Sequence, residues 1–82
     1  MDEIEKYALV TVRCSDGTVM DIKVDRKLPM KSMIRNLFDS LNKDMGIVHG
    51  FYVKAELSGK LLSQNDTLKS FDIYDGEILN IL

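Results

Sequence analysis

The 82 residues contain one cysteine, Cys14, and one histidine, His49. A lone cysteine excludes an intrachain disulfide. Zinc needs three or four converging ligands, and the usual Cys/His spacings are missing. A nucleophilic Cys14–His49 pair would need an orienting third group that the pattern does not supply. A free cysteine reads more simply as a small hydrophobe. No apolar run approaches the roughly 18 residues of a membrane span. Basic residues number 11 against 13 acidic ones. They form no cluster and no interleaving with aromatics, which argues against a nucleic-acid partner. Ser58-Gly59-Lys60 lacks the upstream glycine of a phosphate-binding loop, and Leu61 stands where Ser or Thr would meet magnesium. Asp66, Asp72, Asp75 and Glu77 follow no calcium-loop spacing and read as solvated turn residues. Asn65-Asp66-Thr67 fits a glycosylation acceptor, but the opening MDEIEKY is acidic where a secretory leader would be basic. The expectation is a cytoplasmic protein without cofactor, metal or small-molecule substrate, with no direct membrane insertion and no enzymatic activity.

What remains is periodicity. Met30, Met33, Ile34, Leu37 and Leu41 recur at helical spacing and define one apolar stripe, with Phe38 at its edge. Lys31, Arg35, Asn36, Asp39 and Lys43 take the other side. Pro29 suits the first turn, where a missing N–H costs nothing, and Gly46 suits a left-handed end. The spacing predicts a helix from Pro29 to about Asp44. Around it everything alternates as strand. Ala8, Val10 and Val12 face inward, Asp16-Gly17 turns the chain, and Met20, Ile22 and Val24 face inward again, making a hairpin. Phe51, Val53, Ala55 and Leu57 share one face of a third strand. Ser58-Gly59-Lys60 makes a turn, and Leu61-Leu62 a short fourth strand. Asp66 or Thr67 is placed to cap a short helical turn carrying Leu68 and Phe71. After Asp75-Gly76 the last strand carries Leu79 and Ile81 inward. Residues 1–6 show no period and read as a flexible lead-in; residues 7–82 read as one domain.

The order β-β-α-β-β-β, hairpin first, is that of an α+β β-grasp, a mixed sheet packed on one helix. The stretch Gly59-Lys60-Leu61-Leu62 through Thr67-Leu68, Phe71 and Ile73 resembles ubiquitin's GKxLxxxxTLxxYxI pattern, with Phe71 in place of the tyrosine. Conjugation in that family needs a Gly-Gly tail. This chain stops at Leu82, so a modifier or sulfur carrier, the alternative reading, is not expected. Aligned through Gly17, Gly59 and Ile73, ubiquitin's recognition patch falls on Ser15, Glu56 and Leu82, two of them polar. Readers of that patch are not expected to bind.

Two further runs, Leu28-Pro29-Met30-Lys31 and Ile73-Tyr74-Asp75-Gly76-Glu77-Ile78-Leu79, make the chain similar to the YukD/EsaB family. These are small ubiquitin-like proteins of Gram-positive type VII secretion systems. The resemblance implies a non-conjugated cytoplasmic accessory, connected with virulence. Its implied partners are proteins, namely cytosolic domains of membrane secretion components. In a β-grasp the first strand lies between the second and the last. Leu9, Ile78 and Leu82 are therefore expected to neighbour one another on the solvent side of the sheet. Arg13, Lys54 and Glu56 would form the rim of a protein-binding patch.

Overall fold

The computed structural model describes residues 6–41 and 51–82. Among the described residues the elements follow in the order β1 (Tyr7–Arg13), β2 (Val19–Asp25), α1 (Met30–Ser40), β3 (Tyr52–Ala55), β4 (Lys60–Ser63) and β5 (Ile78–Ile81), with a 3₁₀ turn at Lys69–Phe71. The strands form one sheet in the order β2-β1-β5-β3-β4. β1 and β5 run parallel, and every other neighbour is antiparallel. This is the expected β-grasp.

Alternation decides which face is buried. Ala8, Val10, Val12, Val53, Ala55, Leu62 and Leu79 turn to the helix and lie at 2% exposure or less. Met30, Met33, Ile34 and Leu37 meet them from α1. Met20, Ile22, Leu41, Phe38 and Ile81 close the margin half-buried.

Pro29 is the N-cap of α1, one place ahead of the first helical position, and no side chain caps that end. The orphan amides of Met30 and Lys31 donate instead to the carbonyls of Asp66 and Gln64. A helix start can be satisfied this way by distant backbone. The described helix ends at Ser40 with Leu41 as its C-cap. The expected continuation to Asp44 and the glycine stop at Gly46 lie outside the described residues.

Arg26, three residues before Pro29, is 3% exposed. Its Nε donates to the Ile73 carbonyl at 2.9 Å, and its guanidinium lies 4.0 Å from the centre of the Tyr74 ring. Its own carbonyl accepts from the Lys69 amide. One buried cation thus holds residues 69–74 against the end of the hairpin. The Lys60 ammonium adds a bond to the Phe71 carbonyl.

Three local expectations need correction. Leu57 is not a core residue: β3 stops at Ala55, and Leu57 sits in the following turn at 68% exposure. That turn covers residues 56–59, and Lys60 already belongs to β4. The carboxylates near the C-terminal end are not all solvated ornaments of turns, and Glu77 is buried at 7% exposure.

Candidate functional site

The outward positions of the sheet form rows across the strands. Lys23 and Leu9 are paired at one end. The next row runs Asp21, Thr11, Ile78 and Glu56. A third holds Val19, Arg13, Asn80, Lys54 and Leu61. The last joins Leu82 to Tyr52, whose carbonyl accepts the Leu82 amide at 2.9 Å. All six residues expected on the patch therefore lie on the same outer face.

They are not one apolar group. Ile78 is half-buried and lies diagonally beside Leu9, which is 56% exposed. Leu82 stands two rows beyond Ile78, about 13 Å along the strand at ~3.3 Å per residue. The middle of the intervening row, Arg13, Asn80 and Lys54, is polar. Arg13 meets Glu56 at 3.1 Å, and the Asn80 amide donates to the same Glu56 oxygen at 3.4 Å. An exposed pair of this kind is worth about 0–1 kcal/mol. Its effect here is positional: it divides the face. The expectation that Leu9, Ile78 and Leu82 neighbour one another fails for Leu82, because strand register, not strand order, sets distance along the sheet.

Leu82 instead joins Tyr52 and Leu61, which lie outside the six expected residues. Tyr52 and Leu61 are each 49% exposed, and Leu82 is 66% exposed. Tyr52 lies in the Leu82 row, and Leu61 one row back on β4. The signal was available: Tyr52 and Leu61 are the out-of-phase apolar residues beside Val53 and Leu62. Alternation that places those two inward must place their neighbours outward.

Two turns brace this face. Gly76, at φ +95°, takes a left-handed conformation suited to glycine and donates its amide to the Leu9 carbonyl. The Leu9 amide donates to the Asp75 carboxylate at 2.9 Å, so this turn carries the ladder past the start of β5. At the other side, Glu77 Oε1 accepts from the amides of Leu57 and Ile78, each at 2.8 Å, and Oε2 accepts from Ser58 at 3.1 Å. Burial alone would raise the Glu77 carboxyl's pKa, but these donors outweigh it and hold the group below its ordinary value.

Among the described residues, no three or more His, Cys, Asp or Glu side chains are grouped to hold a metal. Cys14 is half-buried against the core, and His49 lies outside the described residues. Among the described residues, no helix is long and apolar enough to cross a membrane. One groove of about 500 Å³ opens between β2 and α1, walled by Ile22, Val24, Leu28, Met33 and Leu37 together with the polar Lys23, Asp25, Asn36 and Ser40.

A helix held by a mixed five-stranded sheet, with β1 and β5 parallel at its centre, makes this a ubiquitin-like β-grasp protein. Solved structures agree on the fold. A chain described under "Molecular Mimicry of SUMO promotes DNA repair" superposes with a TM-score of 0.75 at 16% identity, over 94% of this chain and 91% of its own. The ubiquitin-like domain of an Arabidopsis thaliana protein gives 0.69 at 14% identity, over 94% and 77%. The family model described as "WXG100 protein secretion system (Wss), protein YukD" matches residues 7–81. The type VII secretion system accessory factor EsaB of Staphylococcus aureus strain Newman is 37% identical over 62 residues, 76% of each chain. The chain belongs to the YukD family, which includes EsaB.

Proposed function

We propose that this protein is a non-enzymatic accessory of a type VII secretion system. It acts in the cytoplasm by docking its outer sheet face, without covalent attachment, on cytosolic domains of the membrane machinery. The observation that carries this reading is the exposure of Leu9, Tyr52, Leu61 and Leu82 on one face around the polar bridge of Arg13, Glu56 and Asn80. Exposed aliphatic and aromatic groups interleaved with charge favour protein contact, and a few of them supply most of the binding energy. Lys54 and Ile78 complete the surface. Membership of a family whose S. aureus relative is named as a secretion accessory factor supports the setting.

Two pairs of substitutions test the two halves of the face: Leu9→Ser with Ile78→Ser, and Tyr52→Ser with Leu82→Ser. Lys31→Ser, on the exposed side of α1, is the control. At least one double variant should keep its circular dichroism spectrum yet weaken capture of the membrane components about tenfold or more and reduce substrate secretion. Wild-type secretion by both folded double variants would overturn the reading. The same reading expects no thiol-resistant adduct in host lysates. A band of host protein plus this chain, identified by mass spectrometry, would favour a covalent modifier instead.

A further inference from the structure

β2 is one edge of the sheet, and its unpaired side is long. The bonds Cys14 to Thr18 and Arg26 to Lys6 set the phase of the hairpin ladder. With the register of the pair, they direct the backbone groups of Met20, Ile22 and Val24 toward β1. The N–H and C=O groups of Val19, Asp21 and Lys23 therefore point away from the sheet. Among the described residues, no strand pairs with that side. The opposite edge differs. β4 has four residues, and the chain just beyond it is taken up by α1, through Gln64 and Asp66. A seven-residue open edge is a template for another strand.

We infer that this edge pairs with the β2 edge of a second copy of the chain, antiparallel about a two-fold axis through Ile22, forming a continuous ten-stranded sheet. Charge complementarity selects this occupant and this register. Antiparallel pairing must match outward-directed backbone groups, so only odd-numbered residues of β2 bond across the axis. In the register that uses the whole strand, Asp21 faces the second copy's Lys23 and Lys23 faces its Asp21. Val19 then faces Asp25. Opposite charges directly across a ladder stabilise it. Slipping by two residues sets Asp21 against Asp21 in one direction and Lys23 against Lys23 in the other, so neighbouring registers are disfavoured.

The side chains concerned are available. Asp21 and Lys23 are exposed. Asp21 accepts only the Thr11 hydroxyl, Lys23 lies over the Tyr7 ring at 4.7 Å, and among the described residues neither has an ion-pair partner. On the helix side the two Ile22 side chains meet at the axis. Met20 of each copy comes opposite Val24 of the other, beside the groove between β2 and α1. Met20 and Ile22 are half-buried in the single chain and would be covered. Such an axis is perpendicular to the sheet, so both outer faces point the same way and both remain open. The inference therefore stands apart from the docking reading.

A single strand edge with a groove beside it buries less than the ~1,600 Å² of a standard interface. The dimer should accordingly be weak, with a dissociation constant on the order of 10⁻⁴ M. Sedimentation equilibrium on the purified chain from about 10 µM to about 1 mM should show monomer passing to dimer. Asp21→Lys alone and Lys23→Asp alone each create two like-charge pairs and should weaken association by about tenfold or more. An equimolar mixture of those two variants restores both pairs and should dimerise again, as should the double exchange Asp21→Lys with Lys23→Asp. Circular dichroism confirms that each exposed-site variant is folded. A wild-type chain that stays monomeric throughout, single variants that associate undiminished, or a mixture no better than its components would each overturn the inference.

Discussion

Ile34→Ala should cost about 3–5 kcal/mol of folding stability, and Leu37→Ala less, about 2–3 kcal/mol. Both residues lie on the buried stripe of α1. Leu37 lies at the middle of the helix that the spacing predicts over residues 29–44, which makes it the first choice from periodicity alone. The packing ranks them differently. Ile34 is 1% exposed and enclosed by the core, whereas Leu37 is 4% exposed and forms part of the wall of the groove beside β2. Ile34 does not line that groove, so truncating it takes contacts from its core neighbours with nothing beside it to fill the space. A cavity opened at Leu37 joins the groove, where water and neighbouring side chains can enter. A domain of this length is stable by only about 4–12 kcal/mol. Ile34→Ala should therefore bring unfolding within reach of mild urea. Denaturant titration of both variants checks the order. A smaller loss for Ile34→Ala than for Leu37→Ala would show that the groove, not the helix centre, is the better packed region.

The second large effect concerns Glu77. Glu77→Ala should cost about 2–4 kcal/mol near neutral pH, because three amides lose a charged acceptor. The turn after β3 also loses its tie to β5. Glu77→Gln retains one acceptor oxygen and should cost less, about 1–2 kcal/mol. The two states also differ in protonation. The folded carboxyl titrates below its ordinary value: burial opposes ionisation, but the donors from Ile78, Leu57 and Ser58 prevail. Between the folded and the unfolded titration points, the unfolded chain binds the extra proton, so stability rises with pH there. The contribution is fully present above the ordinary glutamate range, roughly pH 4–5, and is lost as pH falls through the folded value. Unfolding measured from pH 6 down to pH 3 should show the wild type losing its advantage over Glu77→Gln across that interval. A constant difference between them would mean that the carboxylate charge contributes nothing to the bracing.

Periodicity is enough to determine the order of the elements and the buried faces of β1, β2, α1 and β5. The Met30–Leu41 stripe, the alternation in β1, β2 and β5 and the Asp-Gly turns are local patterns, and burying them leaves a β-grasp as the natural packing. The sequence resemblance likewise pointed to the family that the comparisons bear out. Long-range matters were decided only in three dimensions. Glu77 reads as one more carboxylate beside a turn, because its donors Leu57 and Ser58 come from a segment some twenty residues away. Arg26 reads as part of a charged connection, yet its partners Ile73 and Tyr74 reach it only once the C-terminal loop has folded back. Leu57 continues the alternation of β3 in sequence and leaves the core because the chain turns at residue 56. The strand and face of Leu82 are legible in the sequence, and its neighbours are not. Strand order says which strands touch, while the parallel register of β1 with β5 says how far along them two residues lie. Side-chain direction follows from a period of two residues, which any short stretch of sequence records. Register and buried polar partners arise from contacts between distant segments, and no local pattern carries them.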